Sequence, residues 1–158
     1  MPLPTSTTTP PSSIVDTALP RGLRDRTAGM SWEAVLAAHG PTVGPLRLGG
    51  WKSSESRHQG RRPWLGHRKF QATLAIGDRI CTASVAAGGP VAALTEMLYE
   101  NGFPVEMLEF HQRDTGTHTV TFVHGSNGLR DEWAVGWDSD ATQSALRAVV
   151  ACANRVCA

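Results

Sequence analysis

The sequence has few cysteines, and they follow no recognisable metal-binding or disulfide pattern. Its 158 residues contain three of them, Cys81, Cys152 and Cys157. An odd number without paired spacing argues against a disulfide framework and against a zinc site built from cysteine pairs. We therefore expect a chain of a reducing compartment, the cytoplasm.

A strong charge of either sign and a long apolar run are also missing. Fifteen Lys and Arg against 14 Asp and Glu give a formal charge of +1, whereas nucleic acids and anionic membranes attract strongly cationic proteins. No apolar run approaches a membrane span, and the opening MPLPTSTTTPPSS lacks the basic start and apolar core of a secretory signal. We expect neither a nucleic-acid nor a membrane partner, and interpret the basic stretch from Arg57 to Lys69 as a solvated loop.

The patterns of common catalytic and cofactor sites are absent as well. No GxSxG, GxxxxGK[ST] or GxGxxG occurs, so the sequence offers no hydrolase elbow, P-loop or dinucleotide fingerprint. We expect no cofactor. His111, His118 and His124 form the closest histidine cluster, but side chains on alternating strands need not converge. We interpret them as partly exposed strand and turn residues rather than as a metal site.

The acidic and aromatic residues have a structural interpretation. Glu132, Asp138 and Asp140 fit a turn followed by a helix start, where carboxylates satisfy free N–H groups and the helix dipole. The tryptophans are expected in the core and in interfaces, because no basic residues interleave with them as in a base-stacking platform. They are Trp32, Trp51, Trp64, Trp133 and Trp137.

Three regions follow one another along the chain. Residues 1 to about 30 are rich in Pro, Thr and Ser and show no hydrophobic periodicity, which predicts a disordered and dispensable tail. Residues 31–44 are expected to form a short helix and a linker, because Ser31 is a suitable N-cap for WEAVLAAH and Gly40-Pro41 would stop it. Residues 45–158 are predicted to be the folded domain.

The predicted domain repeats one pattern, three strand-like stretches and a helix. The first copy reads LRLGGWKSS, KFQATLAIG and ICTASVAA, followed by the helix VAALTEMLYENG after Pro90. The second reads VEMLEFHQR, HTVTFVHG and EWAVGWD, followed by ATQSALRAVVACANRV, capped by Asp140 or Thr142. We therefore predict an α+β fold of duplicated βββα units with pseudo-two-fold symmetry, in which two antiparallel three-stranded sheets are each packed by a helix.

Two stretches resemble the C-terminal regulatory domain of 2-isopropylmalate synthases. AAGGPVAALTEMLYENGFPVEMLEFHQ, residues 86–112, is similar to the glycine-proline turn, helix and following strand of that domain. WAVGWDSDATQSALRAVVACANR, residues 133–155, resembles its closing strand and helix and is the more specific match. With the duplication, the likeness covers about residues 45–156. The residues that carry the second match are, in order, Trp133, Gly136, Asp138, Asp140, Ser144, Asn154 and Arg155.

The resemblance implies an allosteric domain that forms a homodimer and binds leucine, the end product of the pathway, as a feedback inhibitor. Glycines in such a pocket let ligand and backbone approach closely, and a helix N-terminus favours a carboxylate. Val91, Met107 and Phe110 would line an apolar pocket for a branched side chain. The full set carried over is Gly88, Gly89, Pro90, Val91, Ala92, Met107, Phe110, Asp114, Thr117 and Thr119.

The chain departs from the family in ways that bear on function. Gly88 replaces the family's turn asparagine and Phe110 its strand tyrosine, so two polar groups are lost. The synthases also carry a TIM barrel, which needs about 250 residues, and the segment before residue 45 is not one. We expect a non-catalytic amino-acid-sensing domain, able to act on a synthase in trans. Two alternatives stay open: part of a 2-isopropylmalate synthase, an acyltransferase of leucine biosynthesis, or a dimeric structural protein without a ligand.

Overall fold

The computed structural model describes Pro10, Ile14 and residues 17–41, 44–54 and 68–157. Most of the basic stretch between Arg57 and Lys69 lies outside these ranges, as does Trp64. The elements within them are the helices α1 (Arg21–Arg26) and α2 (Trp32–His39), the strands β1 (Leu46–Ser54), β2 (Arg68–Ile76) and β3 (Arg79–Ala87), helix α3 (Pro90–Glu100), the strands β4 (Glu106–Asp114), β5 (Thr119–Ser126) and β6 (Asp131–Asp138), and helix α4 (Ala141–Val156).

The strands form two antiparallel sheets, a first of order β1-β2-β3 and a second of order β4-β5-β6. Short turns connect β2 to β3, β4 to β5 and β5 to β6. Gly77 between β2 and β3 has a φ of 59°, and Gly116 between β4 and β5 a φ of 93°, a region that residues with a side chain rarely enter. A helix follows each third strand. The predicted α+β fold of two βββα units, each sheet packed against a helix, is confirmed.

Both helices share one core with the inner faces of the sheets. Leu94 and Met97 of α3 and Leu146 of α4 are fully buried, together with Phe70 and Leu74 of the first sheet. Helix α4 contacts β1 of the first sheet and β5 and β6 of the second. Each such side chain stabilises the fold by about 1.5–3 kcal/mol when buried. Because α4 contacts α3 and β1 of the first unit as well as its own sheet, it is the main link between the two units.

The predicted helix caps are largely present. Ser31 Oγ accepts a hydrogen bond from the backbone N–H three residues on, at 3.2 Å. Asp140, not Thr142, caps α4, with Oδ2 accepting at 2.8 Å from the N–H three residues on. Asp138 Oδ1 accepts from the N–H of Asp140 at 2.9 Å, and its carboxylate pairs with Arg147. The interpretation of Asp138 and Asp140 as turn and helix-start groups is confirmed.

The N-terminal segment corrects the prediction of a disordered tail through residue 30. Residues 21–26 form α1, and Leu23 and Ile14 are 0% and 2% exposed. Both pack with Val120 and Trp133 on the outer face of the second sheet, away from α4. The segment's apolar residues are too widely spaced to show a period, but the sheet supplies the surface that buries them. The boundary at residue 45 remains a prediction.

Candidate ligand-binding site

The first group of predicted pocket residues lies at the start of α3. Gly89 is the N-cap, with extended backbone at φ −165° and ψ 170°, and Pro90 opens the helix without a side-chain cap. A Cβ added at Gly88 or Gly89 would meet no atom within 4 Å. Val91 is half-buried and Ala92 exposed. In the described part of the chain this turn therefore has open space beside its backbone.

The second group begins on β4. Met107 packs against the core, and Phe110 is 43% exposed. A bulge lies between Met107 and Glu109, so that Phe110 pairs with Val123, a core residue. Directly paired residues share a face of a sheet. The bulge therefore brings Met107 and Phe110 to the same face although they are three residues apart.

The rest of the second group has local contacts in and beside the β4–β5 turn. Asp114 Oδ1 accepts from the N–H of Gly116 at 2.8 Å, and Thr117 Oγ1 lies 2.9 Å from His118 Nδ1. The carbonyl of Thr119 accepts from a hydroxyl of α4 at 2.8 Å. Because the seven residue steps from Met107 to Asp114 span roughly 20 Å of strand, one amino acid cannot touch the whole set at once.

The two groups lie on elements with different neighbours. β4 is an edge strand, and β5 is the one described element that it contacts extensively. Helix α3 packs instead against β3 and α4. No extensive contact between α3 and β4 therefore joins the two groups within the described part of the chain.

The glycine and serine of the more specific motif have packing roles. A Cβ on Gly136 would lie 2.4 Å from the backbone N of Ala148 and 2.8 Å from the carbonyl O of Ser144, so glycine lets α4 pack close to β6. Ser144 is fully buried, and its Oγ lies 2.7 Å from Thr121 Oγ1 and 2.8 Å from the carbonyl O of Thr119. These residues fix the helix on the second sheet.

The end of the motif fastens earlier elements to α4. Asn154 Oδ1 accepts from the N–H of Leu46 at 3.0 Å, and Asn154 Nδ2 donates to the carbonyl O of Leu46 at 2.9 Å. Arg155 Nη2 donates to the carbonyl O of Gly40 at 2.8 Å, at the end of α2. Burial lowers the pKa of the Arg155 guanidinium. The residues that carry the resemblance thus hold β1 and α2 in place.

A polar cluster on the second sheet brings together His111 and His124, whose side chains were not expected to converge. His124 Nε2 lies 2.7 Å from Asp131 Oδ2 and its Nδ1 3.5 Å from Glu109 Oε2, while His111 Nε2 lies 3.3 Å from Glu109 Oε1. Both imidazole rings stack on Trp133, with centroids 4.9 and 6.2 Å away. His111 and His124 therefore do converge, because the β4 bulge sets Glu109 opposite His124. Glu109 and His111, two apart on one strand, were the available signal.

The surroundings of Asp131 and Cys152 shift the pKa of each group. Hydrogen bonds from His124 and from Arg26 lower the pKa of Asp131, so this carboxylate keeps its charge in more acid solution than usual. Burial raises the pKa of Cys152 to about 12, which keeps its thiol protonated and unreactive. No group of three His, Cys, Asp or Glu side chains in the described ranges could hold a metal ion. None of the described helices combines the length and apolar character needed to cross a membrane.

The described residues thus define a small α+β domain of two βββα units with an open turn before α3. Part of the chain is similar to curated 2-isopropylmalate synthases: it is 31% identical over 94 residues to that of Arthrobacter sp. (strain FB24), 33% over 94 residues to that of Renibacterium salmoninarum and 31% over 94 residues to that of Mycobacterium ulcerans. No family model matches. The resemblance found in the motifs is confirmed.

The similarity is partial on both sides. It covers 57% of this chain but only 16% of the Arthrobacter and Renibacterium synthases and 17% of the Mycobacterium one. The matched stretch therefore spans about a sixth of the length of these relatives. It relates one region of this chain to one region of a synthase.

Proposed function

We propose that this chain is a non-catalytic, amino-acid-sensing regulatory domain related to the feedback control of 2-isopropylmalate synthase by leucine. The observation that supports the proposal is the match to synthases by a chain whose described residues fold as two small antiparallel sheets. A barrel enzyme instead builds its active site on eight parallel strands closed into a ring. The shared region would contribute regulation rather than the chemical step, in the cytoplasm and on a synthase in trans.

The proposed ligand is a small amino acid with an apolar side chain. Its carboxylate would lie at the start of α3, where free N–H groups and the helix dipole favour an anion and no described side chain caps the helix. Gly88 and Gly89 would give its backbone room, and Val91, Met107 and Phe110 would contact its side chain. Gly88 and Phe110 lack the polar groups that the family has at these two positions. We therefore propose that the ligand class is apolar amino acids in general, of which leucine is one.

A branched-chain amino acid should raise the melting temperature of the full chain, because a ligand that binds the native state alone stabilises it. Gly89→Val should abolish this shift. Extended backbone accepts a residue with a side chain, and the added Cβ meets no described atom within 4 Å, so valine should occupy the ligand's space in a folded domain, at a cost of about 1 kcal/mol for the poorer N-cap. Phe110→Ala should weaken the affinity measured by calorimetry by about 1–3 kcal/mol.

Leu108→Ala is the matched control for Phe110→Ala. Leu108 also lies on β4 and is 49% exposed against 43% for Phe110, but it is outside the proposed pocket, so the affinity should not change. Circular dichroism checks that each variant is folded. If a ligand binds folded Gly89→Val and Phe110→Ala as tightly as the parent chain, the site is elsewhere.

We expect no synthase activity from this chain alone. When it is incubated with acetyl-CoA and 2-ketoisovalerate, free CoA thiol should not rise above the background, because two three-stranded sheets do not provide the substrate-binding face of a barrel. The measurement is a thiol assay over a tenfold range of protein concentration. Thiol release that grows in proportion to the protein would contradict the proposal. If the chain is a piece of a synthase, the proposed role of this region is the same.

A second candidate function is that of a dimeric structural protein without a ligand. It is favoured by β4, an edge strand that exposes Leu108 and Phe110, since exposed apolar residues on an edge strand are available for pairing with another chain. The regulatory proposal also includes a homodimer, so a dimer mass by light scattering does not separate the two. A dimer whose melting temperature responds to none of the amino acids would favour the structural candidate.

A further inference from the structure

The outer face of the second sheet has a large apolar part, beside the polar cluster of His111 and His124, and the chain's own N-terminal segment covers it. Its large residues are at most 4% exposed; they are Val120, Phe122, Trp133, Val135 and Trp137. Ile14 and Leu23 lie on this face with partly buried Leu19, and Trp32 and Leu36 of α2 complete the cover. Without a cover, five large residues would form an exposed apolar patch of the kind that marks a docking surface.

The contacts of α1 with the sheet are few. Apart from buried Leu23, Gly22 lies against Trp133, because a Cβ there would be 2.9 Å from Trp133 Cζ2. At the other end of the helix, Arg26 Nη2 donates to Asp131 Oδ2 at 2.5 Å, in a pair whose side chains are both 44% exposed. Ion pairs this exposed stabilise little.

Helix α1 has little stability of its own. It has six residues and no side-chain cap after Pro20, and isolated helices need about 12–15 residues to form in water. Helix α2 is fastened more firmly: His39 Nδ1 lies 3.0 Å from the carbonyl O of Trp133, and Arg155 donates to the carbonyls of Ala37 and Gly40. β5 is paired on both edges. The segment that includes α1 is therefore the weakest part of the cover.

We propose that the segment of residues 17–27 is a strap that opens while the rest of the domain stays folded, and so uncovers the apolar side chains on the outer face of the second sheet. Proteins open in local units whose free energies range from near zero to that of global unfolding. The strap combines a short helix, one exposed ion pair and few buried side chains, features that place it at the low end of this range.

Hydrogen exchange of the full chain tests the strap, measured by mass spectrometry or NMR in increasing sub-denaturing urea. The amides of α1 should exchange with protection at least roughly a hundredfold lower than those of β5 and β6, with α2 in between. A dye that binds apolar surface should gain fluorescence over the urea range in which α1 has lost protection and β5 has not. Equal protection of α1 and β5, or no dye signal in that range, would overturn the proposal.

Substitutions on α1 distinguish local opening of the strap from a loss of stability of the whole domain. Arg26→Gln should lower the protection of α1 roughly two- to fivefold, and Arg24→Gln is its matched control, an exposed arginine on the same helix that should change nothing. Gly22→Ala raises helix propensity but sets a methyl group against Trp133, so it should also lower the protection of α1. In all three variants β5 and β6 should keep their protection within a factor of about two. Loss of protection at β5 equal to that at α1 would show an integral part of the fold and refute a strap.

Discussion

Gly136→Ala should lower the free energy of unfolding by about 3 kcal/mol or more. The added Cβ would lie 2.4 Å from the backbone N and 2.9 Å from the Cα of Ala148, and 2.8 Å from the carbonyl O of Ser144. Because these atoms belong to the α4 backbone, no side chain can rotate to make room. The whole helix would have to move away from β6, and the hydrogen bonds of the Ser144 hydroxyl would lengthen. Urea denaturation measures the loss as a lower midpoint.

Two other strand glycines provide matched controls. Among the described residues, a Cβ on Gly50 would meet only Thr73 Oγ1 at 3.7 Å, an ordinary contact, so Gly50→Ala should be neutral or slightly stabilising. A Cβ on Gly125 would lie 2.6 Å from Cys152 Sγ and 3.0 Å from Met107 Cε, both side-chain atoms. Gly125→Ala should therefore cost less than Gly136→Ala. Any other order of the three losses would contradict this account of the packing of α4.

Much of the fold could be predicted because each unit carries its own local signals. The bounds of α2 and α4 were predicted to the residue, since Ser31 and Asp140 supply caps and the periodic stretch behind each has a definite end. The strands were placed within one or two residues, because turn glycines such as Gly77 and Gly116 separate them. The duplication was visible because the same order of local signals occurs twice.

Features that depend on contacts between distant parts of the chain could not be predicted from local sequence patterns. Leu23 is buried only because the second sheet offers it an apolar face, and composition alone made its neighbourhood look disordered. The bulge between Met107 and Glu109 inserts a residue without a change in composition, so no period could locate it. It nevertheless decides which β4 side chains face the core and which face His124.

The candidate site could be predicted only as far as the resemblance reached. Local patterns placed Gly89 and Pro90 at the start of α3, where the structure has them. They could not tell how far that turn lies from Phe110, because this distance depends on how two elements pack. The packing roles of the motif residues, by contrast, became visible only when Ser144 and Asn154 were seen against β5 and β1.

Asn154→Leu should lower the free energy of unfolding by roughly 2–5 kcal/mol, because it leaves a buried N–H and a buried carbonyl without partners. Both belong to Leu46, which bonds the Asn154 amide at 3.0 and 2.9 Å, and Asn154 is only 6% exposed. Leucine has a similar volume, so the loss would come from the unpaired groups and not from a cavity. The side-chain amide acts here as a strand partner for the first residue of β1.

Loss of the Asn154 amide should affect both βββα units, because this amide connects them. Helix α4 belongs to the second unit and Leu46 to the first, so the amide fastens the two units at the start of β1. Asn154→Asp should also destabilise the fold, because a carboxylate can accept from the Leu46 N–H but would face its carbonyl oxygen. Gln71→Ala, which removes an exposed amide on β2, is the control and should be neutral. Hydrogen exchange at the Leu46 amide should rise in Asn154→Leu, and an unchanged rate there would contradict this role.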